Sequence, residues 1–566
     1  MSGARPGQRP LASVRPLPSV LLALALLAAL LPLPARADPH AAATPAALTI
    51  GVLSLPASLN PLIDSQPQLD PQLSATDITD AIFESLLVAD THNALIPSLA
   101  TGYTVSADGT RYQFHLDPRA RWQDGVPVTA ADVLYTTRLM RDPQFPATNR
   151  FGFGNIATIA ATGSATVTVV LRAPYAPFLR AFATTPLLPA HVFAPIPVAK
   201  IAGYQAFNRR PIGNGPYTVG EFVDGNHITL DADPAYFRPG PHIPRLIFRL
   251  EPSETAALAA LRAGTIGMLG PSAGLTPRDL LAALAGGRLA AYASPGFGWA
   301  HIDLIESGFL RDRAVRQALT YATPRQRIIA TQFGGLVTAA DADQPPTSRY
   351  YEPRVAGTFA YAPGKVAKLL RAHGFTRAKG RNDYRKFGRP LQITLWLDSS
   401  CGDCRDVASV AAASWTAAGI PTSLHAVPTH VLLGPSGPLY SPTRLANPTL
   451  NAVLYTWYTI PEPDDSPYWA SGQIVRPGHQ SGLNFVGYSN PKMDTLLSRA
   501  LTTTDDSARI DAYRAIQRLL ANDQPAIFLY WTSHLSLATS ALHGYEANPF
   551  HPGVTWNVAN WRLAPP

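Results

Sequence analysis

Apolar residues along the chain follow two periods, one typical of strands and one typical of helices. Residues 47–53 (ALTIGVL) are apolar, rich in β-branched side chains and closely followed by Pro56, which predicts a buried first strand. Residues 103–116 alternate on both sides of a turn at 107–109 and predict a hairpin. Further strands are predicted at residues 167–171, 217–222, 227–230, 246–250, 391–397 and 454–457.

Helices are predicted where apolar residues recur every three or four positions. Thr129 precedes an apolar run with Asp132 in its first turn, and Ser253 precedes another, so both residues are expected to be helix N-caps. Helices are also predicted at residues 494–501 and 506–520. A helix from residue 77 is predicted by five apolar residues on one face: Ile78, Ile82, Phe83, Leu86 and Leu87. The mixture predicts an α/β protein with several sheets and no internal repeat.

Length and composition narrow the class of protein. The 566 residues exceed what one compact core usually holds, which predicts at least two domains. Charged residues make up 15% and hydrophobic residues 46%, which excludes disorder and coiled coils. The formal charge falls from +8 to +4 without the four arginines that precede residue 38, too little to indicate nucleic acid binding. Two cysteines exclude a disulfide-framework protein.

The first 37 residues have the three regions of a secretory signal peptide. Arginines without acidic residues precede an apolar Leu/Ala run at 21–33, and residues 34–37 (PARA) offer small side chains at the spacing of a cleavage site. The run is shorter than the roughly 20 apolar residues of a membrane-spanning helix. We therefore expect cleavage after Ala37 and export, to the periplasm in a bacterium with two membranes. An uncleaved N-terminal anchor is the alternative.

Two short motifs could carry chemistry. Residues 270–274 match G-x-S-x-G around Ser272, but glycines at 264, 267 and 270 make the approach loose and the next helix is expected to start too late, at 276–277. A chance match is therefore favoured over a hydrolase nucleophile. Cys401 and Cys404 form C-x-x-C, which favours a local disulfide over a redox pair or half a zinc site, because no second ligand pair exists. The histidines form no metal-binding motif. We expect no catalytic constellation, metal or cofactor.

Tryptophans are the other candidates for ligand contacts. Five of them are predicted to lie at strand ends or in turns, where α/β proteins place binding groups. Each single tryptophan is more often a core residue than a ligand contact. The five are Trp299, Trp396, Trp457, Trp469 and Trp531.

A series of ordered blocks carries a family resemblance. The chain resembles the family 5 extracellular solute-binding proteins, the peptide/nickel group serving ABC importers. The signature-like blocks are 94–100 (ALIPSLA), 106–110 (SADGT), 112–116 (YQFHL), 122–127 (WQDGVP) and 129–133 (TAADV). Later blocks that agree are 211–217 (PIGNGPY), 315–319 (VRQAL) with Arg325, 361–375, and 488–517 with Asp494, Asp506, Arg509, Tyr513 and Gln517.

The resemblance implies the two-lobed periplasmic binding protein fold of type II, cluster C, with an extra domain inserted in the first lobe. After a signal peptide at 1–37, domain I would comprise 38–88, 205–298 and 533–566. Domain II, the insertion, would be 89–204, and domain III 299–532. The chain would cross between the lobes, and form the hinge, near 298–299 and 532–533.

The resemblance also implies a function. The chain would be the substrate-binding subunit of an ABC importer: a monomer, without catalysis, that captures short peptides or peptide-like solutes and delivers them to permease subunits of the inner membrane. Chelated nickel or an oligosaccharide is the alternative cargo. An exported hydrolase using Ser272, or a thiol oxidoreductase using Cys401 and Cys404, is a third reading.

Family peptide binders hold the peptide amine with an acid in a pattern like W-x-x-D-x-x-D-P. Here Trp457 and the pair 463–464 match, but Ile460 replaces the amine-binding acid, which keeps the non-peptide cargo open. Asp303, where the family commonly has asparagine, would bind a cation or pair with Arg311 or Arg313. Arg405 would meet a ligand carboxylate or remain a surface residue. The expected ligand contacts are Asn60, Trp299, Asp303, Trp396, Arg405, Trp457, Glu462, Asp464 and Asp465.

Overall fold

The computed structural model describes most of the chain beyond residue 46: residues 47–63, 75–147, 149–271, 275, 280, 283, 287–377, 380–399, 401, 403–434, 436–458, 461–479, 482–551 and 553–564. The predicted signal peptide, Ser272 and Ile460 lie outside the described residues.

A mixed sheet of eleven strands, counted over the described residues, organises the fold. Its strands in spatial order are Thr422–Val427, Ile393–Asp398, Ala452–Tyr458, Leu289–Leu304, Ala526–Thr539, Met268–Leu269, Ala47–Val52, Arg245–Leu250, His227–Ala232 and Tyr217–Val223, with Thr338–Ala339 paired to Ala526–Thr539 off this path. Parallel and antiparallel pairs both occur, so the predicted α/β class is confirmed. The strands predicted in the sequence are all present within a few residues.

A second, antiparallel sheet lies in the predicted insertion. Its strands in order are Ala100–Val105, Arg111–Leu116, Thr166–Leu171 and Ile156–Ala161. The side chains of Phe114 and Val167 on this sheet share one hydrophobic core with Leu48 and Ile50 of the main sheet. Two-stranded pairs join Leu87–Ala89 to Leu95–Pro97, Arg385–Lys386 to Arg389–Pro390, and Leu542–His543 to Arg562–Leu563.

Helices cover the sheets. They are Ala75–Ile82, Ala130–Arg141, Phe178–Ala181, Ala190–Phe193, Val198–Ile201, Gln205–Arg209, Glu254–Arg262, Arg313–Tyr321, Arg325–Phe333, Gly364–Ala372, Cys404–Ala417, Thr429–Leu432, Ser466–Trp469, Pro491–Thr502 and Asp506–Asp523. The predicted cap at Ser253 is confirmed, because its Oγ accepts a hydrogen bond from the Ala256 N–H at 3.2 Å. Over the described residues, every helix is too short or too polar to cross a membrane.

The first predicted helix ends earlier than expected. It stops at Ile82, and Leu87 instead opens the strand Leu87–Ala89. The carbonyl oxygen of Ile82 accepts hydrogen bonds from the N–H groups of Asn214 at 3.0 Å and Gly215 at 2.8 Å, so a distant loop replaces the next helical turn. A Cβ at Gly215 would lie 2.7 Å from the carbonyl carbon of Ile82. Glycine is therefore required for this approach.

Two long antiparallel strands, Leu289–Leu304 and Ala526–Thr539, lie side by side in the middle of the sheet. Toward the end of the second strand, Leu535 packs in a core with the helix Glu254–Arg262. Nearer its start, Leu529 packs in a different core. The same two strands therefore contribute to separate cores at their two ends.

The pairing of these strands is irregular between the two cores. The register shifts between Pro295 and Trp299. A Cβ at Gly296 would lie 2.8 Å from the Oγ1 of Thr532 and 2.9 Å from its carbonyl oxygen, so the backbones approach closely here. This point falls beside the predicted chain crossings at 298–299 and 532–533.

The prediction that the tryptophans lie at strand ends or in turns is wrong for three of them. Trp299 and Trp531 are Cα partners inside the two long strands, because these strands run unbroken past the predicted crossings. Trp396 lies within the strand Ile393–Asp398. Only Trp457 and Trp469 lie at the ends of their elements.

The N-terminus of the helix Ala130–Arg141 provides a stability test. Asp132 accepts hydrogen bonds from the Thr129 N–H and the Ala190 N–H, both at 2.8 Å, so one buried carboxylate satisfies two backbone donors. We expect Asp132→Ala to lower the free energy of unfolding by about 2 kcal/mol in urea titrations. Arg138→Ala, at an exposed site on the same helix, should change it by less than about 0.5 kcal/mol. Equal losses would contradict the capping role.

Candidate functional site

The candidate site is built around residues 461–465 (PEPDD), here called the acidic segment, which follows the strand Ala452–Tyr458. Glu462 forms an ion pair with Arg509 and accepts a hydrogen bond from the Tyr350 hydroxyl at 2.8 Å. Arg509 also donates to the carbonyl oxygen of Pro463 at 3.3 Å. These contacts fix the segment against the helix that carries Arg509.

The acidic segment also contacts the predicted domain II. The Tyr175 hydroxyl donates to Asp464 Oδ2 at 2.9 Å, and Asn93 Nδ2 donates to the carbonyl oxygen of Pro461 at 3.4 Å. Burial and the negative charge of Asp464 raise the pKa of Tyr175 above its ordinary value, so its hydroxyl remains a donor. The segment therefore lies where residues 89–204 meet residues 299–532.

Asp465 belongs to a buried pair of carboxyl groups. Asp465 and Asp343 are each 1% exposed. Gln344 Nε2 donates to Asp465 Oδ2 at 3.2 Å, and Trp469 Nε1 donates to Asp343 Oδ2 at 2.7 Å. Burial raises the pKa of Asp343 to about 7, and burial together with the charge of Asp343 raises the pKa of Asp465. The pair therefore holds a proton near neutral pH.

Asp303 does not pair with Arg311 or Arg313, and that prediction is wrong. Its carboxylate accepts a hydrogen bond from the Tyr455 hydroxyl at 2.6 Å and lies 3.3 Å from His301 Nε2. The side chain of Asp303 is buried on the strand Leu289–Leu304, so the two surface arginines cannot reach it. Arg313 instead lies 3.5 Å from Asp523, and Arg311 donates to the carbonyl oxygen of Glu306.

The predicted tryptophans differ in burial. Trp299 is 2% exposed and packs against Phe528, with ring centroids 5.2 Å apart, in a core that also contains Trp469. Trp457 is half-buried and meets Tyr468 edge-on at 4.9 Å, just before the acidic segment. Trp457 therefore suits a ligand contact better than Trp299 does, because it is more exposed and directly precedes the acidic segment. Both roles as ligand contacts stay predictions.

Three other candidates occupy separate places. Trp396 Nε1 donates to the carbonyl oxygen of Thr449 at 2.9 Å, and its ring lies 4.0 Å from that of His425. Arg405 is exposed in the first turn of its helix. Asn60 is 1% exposed, and its Oδ1 accepts a hydrogen bond from the Leu62 N–H at 3.1 Å. As ligand contacts these three residues also stay predictions.

The two cysteines are joined. Cys401 and Cys404 form a disulfide at the N-terminus of the helix Cys404–Ala417, and their Cα atoms are 5.4 Å apart. Among the residues that the structure describes, His, Cys, Asp and Glu form no group of three or more that could hold a metal ion.

A surface cavity of about 440 Å³ lies away from the acidic segment, on the helix Arg313–Tyr321. Its two arginines have carboxylate partners: Arg316 lies 3.3 Å from Glu306, and Arg313 lies 3.5 Å from Asp523. Because both arginines already have carboxylate partners, neither is a free cation for a ligand.

The structure thus brings Glu462, Asp464 and Asp465 together at one contact, with Trp457 preceding them. Sequence reasoning missed the groups that meet them from elsewhere in the chain: Asp343, Tyr175, Tyr350, Arg180 and Arg509. The sequence could have pointed to Arg180, because it is the only charged residue in the apolar run 175–183 (YAPFLRAFA). Arg509 stands in a quoted family block, but nothing in the sequence places it beside Glu462.

Residues 94–474 match the profile of the bacterial extracellular solute-binding proteins, family 5 Middle. The chain belongs to this family. The match spans most of the chain and includes the acidic segment.

Relatives match over nearly the whole length. The chain is 25% identical over 520 residues to the oligopeptide-binding protein AppA of Bacillus subtilis (strain 168), covering 91% of each chain. The solved structure of B. subtilis AppA in complex with a nonapeptide superposes with a TM-score of 0.74, covering 92% of this chain and 100% of that one. NikZ of Campylobacter jejuni, solved in complex with Ni(L-His), gives a TM-score of 0.73 at 22% identity, covering 91% of this chain and 99% of that one.

These findings confirm the predicted fold. The family 5 protein described here has the two-lobed periplasmic binding protein architecture of its relatives, with mixed α/β content. Its family members are substrate-binding proteins.

The carboxyl pair generates a prediction about pH. The pKa of Asp343, about 7 when folded, lies above the roughly 3.9 of an unfolded aspartate, so the folded protein binds more protons between these values. The contribution of this carboxyl group to stability should therefore fall as the pH rises from 4 through 7. We expect Asp343→Asn to flatten this dependence and to raise the free energy of unfolding at pH 8 by about 2 kcal/mol.

Urea unfolding at pH 5 and pH 8 measures the effect. The control is Asp341→Asn, which removes an ion pair with Arg325 at 2.8 Å and should lower stability at both pH values. An Asp343→Asn protein with the wild-type pH slope would show that the pair does not titrate as described.

Proposed function

We propose that this protein is the substrate-binding subunit of an ABC importer. It captures a short peptide or peptide-like solute between two lobes and hands it, chemically unchanged, to permease subunits of the inner membrane. The observation that carries the proposal is the acidic segment, where groups from residues 89–204 and 299–532 meet in a chain of this family. A cargo that contacts both sides would stabilise the closed arrangement by its differential affinity for it.

Peptides are the favoured cargo because the relative AppA is named an oligopeptide-binding protein and was solved with a nonapeptide. A non-peptide cargo, such as chelated nickel, is the second candidate. Ile460 occupies the position of the amine-binding acid, and the nearby Glu462 already pairs with Arg509. The structure of NikZ in complex with Ni(L-His) provides a precedent for the second candidate within the same fold.

We propose domain boundaries at 38–88, 205–298 and 533–566 for domain I, 89–204 for domain II and 299–532 for domain III. The separate packing of the two ends of Ala526–Thr539 supports the crossings near 298–299 and 532–533. The register shift after Pro295 supports a hinge there.

The proposal includes export, a monomeric state and no catalysis. The family's extracellular members support export. N-terminal sequencing of protein recovered from the periplasm should begin at Asp38, because signal peptidase would cut after Ala37. A periplasmic protein that begins at Met1, or one found only in the membrane fraction, would contradict the cleavage.

Binding is tested by thermal unfolding with and without defined peptide pools of two to nine residues. Ligand at 100 times its Kd stabilises the folded state by about 2.7 kcal/mol, so Tm should rise measurably. Ni(L-His) in a parallel sample tests the second candidate. A rise with nickel–histidine alone would exclude the peptide as cargo.

Catalysis is tested by mass spectrometry of the peptides after incubation, with Ser272→Ala and Cys401→Ser as controls. We expect the peptides to be recovered intact from the wild-type protein and from both variants. A product formed by the wild-type protein and lost in either variant would establish an enzyme instead.

A further inference from the structure

Arg180 is a cation buried in an apolar region of the predicted domain II. It lies on the short helix Phe178–Ala181 and is 2% exposed. Phe178 and Phe182, which flank it, belong to the hydrophobic core. Burial lowers the pKa of Arg180 to about 10, so the guanidinium remains charged at neutral pH. A buried charge of this kind needs partners to offset its lost hydration.

The guanidinium has fewer partners than it has donors. Nη2 donates to Asn93 Oδ1. Within the part of the chain that the structure describes, Nε and Nη1 are buried and have no hydrogen-bond partner. Arginine carries five N–H donors, and buried donors left unpaired are costly. Arg180 thus differs from the buried Arg444, which donates to the carbonyl oxygens of Asn484 and Phe485, both at 2.8 Å.

The surrounding charges do not balance. The negative charge that acts most on Arg180 is that of Glu462, but Glu462 forms its ion pair with Arg509 and accepts from Tyr350. Two buried guanidinium groups therefore share one carboxylate. His551 adds no negative charge; burial and the charge of Arg180 together lower its pKa to about 4.

Asp80, which lies 3.4 Å from His551, is not among the charges that act on Arg180, which are those of Glu462 and Tyr350. Burial and the neighbouring Asp77 raise the pKa of Asp80 well above its ordinary value. Its carboxyl group is therefore protonated over a wider range of pH than an ordinary aspartate. The excess positive charge at Arg180 remains.

Arg180 lies where the predicted domains II and III meet. Asn93, which accepts from Arg180, donates through Nδ2 to the carbonyl oxygen of Pro461 in the acidic segment at 3.4 Å. Five residues before Arg180, Tyr175 donates to Asp464 in the same segment. The guanidinium of Arg180 is therefore linked to the acidic segment through the side chain of Asn93.

We infer that Arg180 binds a carboxylate group of the cargo. The inference rests on the proposed function and specifies which chemical group the cargo must carry. An incoming carboxylate would accept hydrogen bonds from the guanidinium and supply the negative charge that Glu462 shares with Arg509. Three sources of this carboxylate are distinguished by the second test below: a peptide C-terminus, an acidic side chain and a non-peptide organic acid.

The first test needs no cargo. Because Arg180 is buried with unpaired donors, Arg180→Gln should leave Tm unchanged or raise it by about 1–3 °C without added ligand. The matched control, Arg509→Gln, leaves Glu462 buried without its cation and should lower Tm by about 5 °C or more. If Tm falls by the same amount in both variants, Arg180 is a structural residue and the inference is overturned.

The second test compares binding by wild-type and Arg180→Gln protein in calorimetric titrations. The probes are a peptide pool with free C-termini, the same pool with C-terminal amides, a pool in which Asn and Gln replace Asp and Glu, and dicarboxylic acids from succinate to adipate. We expect wild-type protein to prefer one carboxylate-bearing probe about tenfold over its amide counterpart, and Arg180→Gln to lose that preference. The preferred probe identifies the source of the carboxylate.

The outcomes separate the inference from the proposed function. If only dicarboxylic acids bind, and only to wild-type protein, the inferred carboxylate site is supported and a peptide cargo is excluded. If peptides bind both proteins with the same preferences, the proposed function stands and the inference is overturned. Wild-type protein that binds no probe overturns both.

Discussion

The two long antiparallel strands, Leu289–Leu304 and Ala526–Thr539, are the constraint on which the rest of the structure depends. They form one hydrogen-bonded ladder, yet their two ends contribute to different hydrophobic cores. Any movement between the cores must bend this ladder, and its register is already irregular near Gly296. At the proposed hinge, motion would therefore be restricted to a bend of this ladder.

Charge balance at the acidic segment determines which kind of cargo this contact favours. Glu462 is fixed by Arg509, and Asp465 is paired with Asp343, so neither carboxylate is a free anchor for a ligand amine. The unbalanced group on the opposite side is the cation Arg180. Electrostatics at this contact therefore favour a cargo that brings negative charge, whereas family peptide binders hold a positive amine with an acid whose position here is Ile460.

Much of the fold follows from local sequence pattern, because strands and helix caps depend on neighbouring residues. The hairpin at 103–116 and the cap at Ser253 are examples. The site is harder to predict from local sequence pattern, since its hydrogen bonds and ion pairs join residues that are distant in sequence. Nothing near Asp303 indicates that Tyr455 will be its partner, and only a cross-strand register decides it. Likewise, the helix that ends at Ile82 is limited by a loop more than 130 residues away.

The hydrogen bonds between residues 89–204 and 299–532 contribute a free energy comparable to that of a bound ligand. Among the described residues, three hydrogen bonds join residues 89–204 to 299–532: Tyr175 to Asp464, Asn93 to Pro461 and, at 2.8 Å, the Ala176 N–H to the Leu501 carbonyl. Each contributes about 0.5–1.5 kcal/mol net, so their sum is a few kcal/mol. A ligand at 100 times its Kd contributes about 2.7 kcal/mol, a comparable amount. Under the proposed function, cargo bound at this contact would therefore add about as much free energy to closure as these three hydrogen bonds do.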